Sequence, residues 1–317
     1  MTKVAILDDY QGVALGLADW SKLQPGTDVQ VFRHHLGSDH EAVAALESFD
    51  VLCLMRERMP VGRALLERLP NLKLIVATGA HNRTLDGEAA KACGIEIAHT
   101  RGGESVHATP ELAWALILAC ARSIPQEDRR MRAGGWQETV GLALHGRTLG
   151  ILGLGRLGAR MATIGRAFGM KLLAWSPNLT AEKAEAAGVT YADRETFFRA
   201  ADILTIHMVL GEKTKGLIGR NELELMKRDA ILVNTSRGPL VDEAELVEAL
   251  QARRIRAAGL DVYDREPIAP DNPLLQLDNV VLSPHLGYVT EGTYRMFFED
   301  TVDAIAAWQA RRQEGNG

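Results

Sequence analysis

Cysteine is scarce in this chain: Cys53, Cys93 and Cys120 are its only three among 317 residues, widely spaced and without a C-x-x-C pair. An odd, scattered set excludes a disulfide framework or a zinc knuckle and fits a reducing, cytoplasmic setting. An excess of positive charge is missing too. Lys and Arg number 36 against 41 Asp and Glu, for a net charge of −5, so nucleic acid is not an expected partner. The longest apolar run, residues 112–121, is far shorter than the roughly 20 residues of a membrane-spanning helix. At the N-terminus, Asp8 and Asp9 fall where a signal peptide needs an apolar core, so export is not expected. Compositional bias is also lacking: 46% hydrophobic and 24% charged residues are ordinary globular usage, which excludes a disordered or fibrous chain. At roughly 150 residues per domain, the length predicts two domains.

What the chain does contain is a regular alternation. Apolar stretches of strand length at 4–7, 29–32, 51–55, 74–77 and 95–98 are separated by segments such as 40–49 and 62–68, whose apolar spacing suits short helices. This is the pattern of βαβ units and a parallel sheet, hence an α/β fold. Residues 104–122 read as a long helix starting at Ser105 or at Thr109, where Thr-Pro-Glu supplies an N-cap, a proline at N1 and an acid near the positive end. Apolar on nearly all sides, it is expected to be buried between domains or subunits. A polar Arg- and Gly-rich patch follows at 126–135. A second series then offers six strands, at 148–152, 171–175, 203–206, 230–234, 257–260 and 280–282, enough for a doubly wound sheet. The last helix, about 290–312, is expected to return to the first domain and make it discontinuous.

The strand at 148–152 runs into Gly153-Leu154-Gly155-Arg156-Leu157-Gly158, a G-x-G-x-x-G turn with a helix after it. Gly153 permits the tight turn, Gly155 lets the backbone approach a pyrophosphate, and Gly158 lets helix and strand pack closely. With strand and helix both in place, the turn reads as a dinucleotide site. Arg156 is either a phosphate contact or a solvated arginine at the helix start. The acid that takes the ribose 2′-hydroxyl of NAD is expected about 20 residues on. Here Trp175-Ser176-Pro177-Asn178 stands instead, with Ser176 lying 18 residues beyond Gly158. NAD is the default cofactor, and NADP is admitted because no carboxylate opposes a 2′-phosphate; Asn178 and Lys183 are its modest candidate partners.

Three later segments follow predicted strands: Asn234-Thr235-Ser236-Arg237-Gly238, Asp261-Val262-Tyr263-Asp264-Arg265-Glu266-Pro267 and Ser283-Pro284-His285-Leu286-Gly287. Ligands bind at strand ends in open α/β sheets, so one Arg, one Glu and one His converge on one edge. The set suits reduction of a 2-oxo acid. His285 would supply a proton near neutrality, Glu266 would raise its pKa and fix its tautomer, and the Arg237 fork would bind the carboxylate and polarise the carbonyl.

On these segments the chain resembles the D-isomer-specific 2-hydroxyacid dehydrogenase family, which includes glyoxylate and hydroxypyruvate reductases and phosphoglycerate dehydrogenase. The resemblance rests on 149–158, on His207 within Ile206-His207-Met208, on 233–242, on 259–267 and on 283–287, and it covers nearly the whole chain. It implies two Rossmann-like, doubly wound parallel-sheet domains. The NAD(P)-binding domain is expected at 101–286, and a flavodoxin-like substrate-binding domain at 1–100 and 287–317. It also implies that Arg237, Glu266 and His285 are catalytic, and that Gly153, Gly155, Arg156, Leu157, Gly158, Ser176, Asn178, His207, Met208, Thr235, Ser236, Asp261 and Gly287 line the cofactor site. In the first domain it points to substrate contacts from Thr78, Gly79 and Ala80, joined by Arg56.

Two departures stand out. Ser176 replaces the usual acid, and Gly79-Ala80-His81-Asn82-Arg83-Thr84 stands where the family commonly has G-x-D-N-x-D. Arg56 and Arg83 suit a more anionic or polyhydroxylated substrate, or are solvated surface arginines. The chain ends soon after its last helix, so the C-terminal regulatory domain of longer phosphoglycerate dehydrogenases is expected to be absent. The implied activity is hydride transfer between NAD(P) and a small anionic 2-oxo or D-2-hydroxy acid, in a homodimer without metal, nucleic acid or membrane partners. The alternatives are a formate dehydrogenase-like enzyme, against which Glu266 counts because that family pairs its His with Gln, and a nicotinamide-sensing corepressor of the same fold.

Overall fold

The computed structural model describes residues 1–314. The chain divides into two compact units: Met1–Glu104 with the segment from Thr290 onward, and Ser105–Val289.

In the first unit, β1 (Lys3–Ile6), β2 (Asp28–Val31), β3 (Val51–Leu54), β4 (Leu74–Ala77) and β5 (Glu96–His99) form an all-parallel sheet in the order β2-β1-β3-β4-β5. Every residue of β3 and β4 is buried. Strands covered on both faces are continuous apolar runs, which is why both were legible without alternation. Leu46, Leu52, Leu65, Leu66 and Ile75 are central to the core on one face. Capping fixes where helices begin: Ser38 accepts the Glu41 N–H ahead of Asp39–Leu46, and Asp86 accepts that of Ala89 ahead of Gly87–Ala92. The last helix, Glu291–Glu314, packs on the helix Ala14–Leu17, the turn Trp20–Lys22 and β4, burying Phe297, Ile305 and Trp308.

The second unit holds β6 (Thr148–Leu152), β7 (Lys171–Trp175), β8 (Thr190–Tyr191), β9 (Ile203–Ile206), β10 (Ile231–Asn234), β11 (Ala257–Leu260) and β12 (Val280–Leu282). All are parallel, in the order β12-β11-β10-β9-β6-β7-β8. One core contains Trp175, Phe197, Phe198 and Leu246, and a second contains Trp114, Ile117 and Met161. The helix Ser105–Arg122 starts at Ser105 rather than Thr109 and lies on β10, β11, β12 and the helix Arg156–Ala167.

One expectation needs correction. The sheet has seven strands, not six: β8 is a two-residue, exposed edge strand with no apolar run to announce it. The patch at 126–135 is largely helical, because Ile124–Arg132 forms a helix with no buried residue before Gly134 and Gly135 end it.

Candidate active site

Parallel strands bring their C-terminal ends to one edge, so in the second unit the segments after β6, β7, β9, β10, β11 and β12 are neighbours. After β6 the chain turns at Gly153, whose φ of +98° is left-handed and whose Cβ would stand 2.5 Å from the His207 carbonyl oxygen. Gly158 is equally constrained, since a Cβ there would meet the Gly153 oxygen at 2.2 Å. Gly155 is the contrast: a Cβ there would point into open space, with no atom within 4 Å. The helix Arg156–Ala167 begins at this point without a side-chain cap. Uncapped first-turn N–H groups beside an open backbone form an anion cradle. Exposed Arg156 and half-buried Leu157 begin that turn. The Gly153 N–H donates to the Trp175 carbonyl (3.0 Å), which places half-buried Ser176 next to the glycine turn; Asn178 is exposed.

After β9, His207 donates its N–H to the Leu152 carbonyl (2.8 Å), and its Nε2 lies 2.9 Å from the Thr205 hydroxyl. Its Nδ1 is buried without a protein partner, and burial pushes the imidazole pKa down to about 4. The ring is neutral at physiological pH. The Met208 sulfur lies 3.0 Å from where a Gly153 Cβ would be. After β10, Asn234 shapes the turn: its Oδ1 accepts the Ser236 N–H (3.0 Å) and its Nδ2 donates to the Arg237 carbonyl (2.9 Å). Ser236 donates its hydroxyl to the Ile206 carbonyl (2.9 Å), and Arg237 Nη1 to the Ser236 carbonyl (2.7 Å). Thr235 Oγ1 is buried without a protein partner. A Cβ on Gly238 would fall 2.1 Å from the Tyr263 carbonyl carbon, so only glycine lets the Arg237 turn press against the loop after β11.

That loop carries Glu266, whose Oε1 accepts the Tyr263 N–H (3.0 Å) and whose Oε2 is 2.6 Å from His285 Nδ1. His285 has a φ of +54°, and its ring meets Tyr288 edge-on with centroids 5.6 Å apart. Asp261 organises the segment that holds it. This carboxylate is fully buried; its Oδ1 accepts from the Ser283 hydroxyl (2.5 Å) and the Leu286 N–H (2.7 Å), and its Oδ2 from the Gly287 N–H (2.9 Å). Burial raises the Asp261 pKa, while those hydrogen bonds and nearby His285 oppose the rise. The Gly287 carbonyl accepts the Thr109 hydroxyl (2.8 Å). Spacing gave no signal for this arrangement: Asp261 lies 22 residues from Ser283 and Thr109 lies 178 from Gly287.

In the first unit, Thr78 and Gly79 follow β4. The Thr78 N–H donates to the Leu54 carbonyl (3.0 Å) and the Gly79 N–H to Thr100 Oγ1 (2.7 Å), so both N–H groups are engaged within the fold. Ala80, exposed, is the first loop residue beyond them. Arg56 has a φ of +53°, donates its N–H to Thr78 Oγ1 (2.7 Å) and its Nη1 to the Thr78 carbonyl (3.2 Å). Asn82 pins the loop through Nδ2 to the Arg56 carbonyl (2.7 Å). Among the described residues, no group of three or more His, Cys, Asp or Glu could hold a metal ion, and no helix is long and apolar enough to cross a membrane.

A nicotinamide dinucleotide fits this edge of the second unit: the uncapped helix start and open Gly155 suit its phosphates, and the unpartnered Thr235 Oγ1 and His207 Nδ1 offer polar contacts further along. Fold and site together define a dinucleotide-dependent oxidoreductase. Residues 114–287 match the family model described as D-isomer specific 2-hydroxyacid dehydrogenase, NAD binding domain. Glyoxylate reductase of Aeropyrum pernix is 39% identical over 277 residues, covering 84% of this chain and 82% of that protein. D-3-phosphoglycerate dehydrogenase of Archaeoglobus fulgidus is 40% identical over 255 residues, 80% of this chain but only 48% of that longer protein. The crystal structure of phosphoglycerate oxidoreductase from Vibrio cholerae O395 superposes with a TM-score of 0.92 at 39% identity, covering 98% of this chain and all of that one. The chain belongs to the D-isomer specific 2-hydroxyacid dehydrogenase family.

Proposed function

We propose that this protein reduces a small 2-oxo acid to the D-2-hydroxy acid with NADH or NADPH, in the manner of a glyoxylate or hydroxypyruvate reductase. The observation that carries this reading is the 2.6 Å contact between His285 and Glu266, on the strand-end edge that also bears the glycine turn. A nicotinamide held at this edge would supply the hydride for the carbonyl carbon. The developing alkoxide then takes a proton from His285 Nε2, since Nδ1 is engaged by Glu266, whose charge stabilises the imidazolium. Arg237 binds the substrate carboxylate and polarises the carbonyl.

Gly153, Gly155, Arg156, Leu157 and Gly158 form the phosphate cradle, and Ser176 with Asn178 faces the ribose. His207, Met208, Thr235 and Ser236 line the nicotinamide side. Asp261 and Gly287 act by holding the His285 loop, because the carboxylate and that N–H bind each other. The first unit is the substrate-binding one, with Ala80 N–H and Arg56 as its contacts; the second binds the dinucleotide. Ser176 places no carboxylate at the end of β7, so a 2′-phosphate meets no like charge and both coenzymes are accepted.

We assign the protein to the cytoplasm, on its free cysteines: Cys53 and Cys120 are buried and Cys93 is exposed. A homodimer is supported by the exposure of Ile124, Met131, Trp136 and Val140 within one short segment.

The test is a screen of glyoxylate, hydroxypyruvate and larger 2-oxo acids with NADH and NADPH, followed by coenzyme absorbance and chiral product analysis. Reduction of at least one acid to its D-hydroxy product is expected with both coenzymes. Tight coenzyme binding without turnover would contradict the assignment and favour a nicotinamide sensor.

A further inference from the structure

Tyr263, buried in the core that also contains Leu260 and Leu274, stands where three segments of the second unit meet. Within its own loop its N–H donates to Glu266 Oε1 (3.0 Å). Its carbonyl carbon and oxygen lie 2.1 and 2.2 Å from where a Gly238 Cβ would be, so it abuts the turn that carries Arg237. Its hydroxyl crosses to the segment after β12, 2.9 Å from the Ser283 carbonyl oxygen and 3.2 Å from that of Leu260. A phenol has one proton, and the shorter contact takes it.

Neither oxygen needs that proton to be satisfied. The Leu260 carbonyl already accepts the Ser283 N–H (2.8 Å), and the Ser283 carbonyl already accepts the His285 N–H (3.1 Å). A phenol buried against carbonyls that have partners adds little to stability. What it does fix is the oxygen on which the His285 turn closes. Pro284 has no N–H, and the His285 N–H is spent inside the turn, so the phenol joins the Ser283 hydroxyl on Asp261 (2.5 Å) in tying the approach to the imidazole. Burial, with the carboxylates of Asp261, Glu266 and Glu243, pushes the Tyr263 pKa up, and the phenol stays a donor at working pH.

We propose that Tyr263 is the positioning residue of the His285–Glu266 pair: its hydroxyl holds the Ser283 carbonyl that closes the His285 turn, and its N–H holds Glu266 from the other side. With Oε1 fixed in this way, Oε2 is left for His285 Nδ1, and one residue sets the 2.6 Å between them. Tyr263 acts through the pair and not on the substrate. The inference rests on the reductase reading and adds a residue to its machinery.

The experiment is Tyr263→Phe, which removes the hydroxyl and keeps the ring in the core. With the 2-oxo acid and coenzyme that the wild-type protein turns over fastest, kcat should fall by about tenfold, while KM and the coenzyme Kd stay within about twofold. In a Glu266→Gln background the same change should lower kcat by less than about twofold, because the charged partner it positions is already gone. Proton NMR of the full chain gives a readout that needs no turnover. The short His285–Glu266 hydrogen bond should produce a far-downfield resonance, absent from His285→Gln, which Tyr263→Phe moves upfield or broadens. An unchanged kcat or resonance in Tyr263→Phe, equal losses of kcat in both backgrounds, no such resonance in the wild-type protein, or a variant that fails to fold would overturn the positioning role alone. No turnover of any 2-oxo acid would overturn the reductase reading, and the resonance would still decide whether Tyr263 holds the pair.

Discussion

His285 holds a left-handed backbone, and the residues around it account for that conformation. Its N–H reaches back to the Ser283 carbonyl (3.1 Å), and Asp261 ties the N–H groups on its C-terminal side, so the ring is delivered to Glu266 by a loop with little freedom. His207 is the opposite kind of histidine. With a folded pKa near 4 against an ordinary 6.5, it binds fewer protons in the native state than in the unfolded one. Its contribution to stability is therefore fully present above pH 6.5 and is lost as the pH falls through about 4. Denaturant unfolding should show a loss on the order of 2 kcal/mol between pH 7 and pH 4 that His207→Gln removes. An identical pH dependence in the variant would count against a buried, neutral imidazole.

At the scale of elements, β6, the glycine turn and the helix after it form one device, and its tolerances are narrow. Gly153→Ala sets a Cβ 2.5 Å from the His207 carbonyl in a left-handed conformation. The turn has to move, so coenzyme affinity should fall at least tenfold by fluorescence titration, with a lower melting temperature. Unaltered affinity would mean that this turn does not hold the dinucleotide. The same device was the most legible part of the sequence, because its glycines are demanded by the backbone itself. The strands β7, β9, β11 and β12 were readable to the residue for a related reason: apolar runs of strand length leave few alternative assignments. The Asp261 network was not readable, since a carboxylate that binds a ligand and one that ties a loop look alike until partners more than 20 residues away are placed. The Thr78 and Gly79 N–H groups were hidden similarly, because their partners Leu54 and Thr100 come from neighbouring strand ends.

For the whole molecule, charge and surface matter most. With a net charge of −5, general attraction does not gather an anionic substrate, so local donors must hold it. Exposed apolar residues are concentrated along 124–140, where Trp136 is 71% and Val140 87% exposed. Light scattering at micromolar concentration should give twice the 34.6 kDa chain mass, and Trp136→Ser with Val140→Ser should shift it toward the monomer. A monomer at every concentration would remove the proposed dimer. The central claim, that His285 delivers the proton in an NAD(P)H-dependent reduction, is tested most directly by His285→Gln with kcat and coenzyme affinity measured side by side. The account predicts that kcat falls by about 10²–10⁴-fold while the coenzyme Kd stays within about twofold; turnover at the wild-type rate would contradict it.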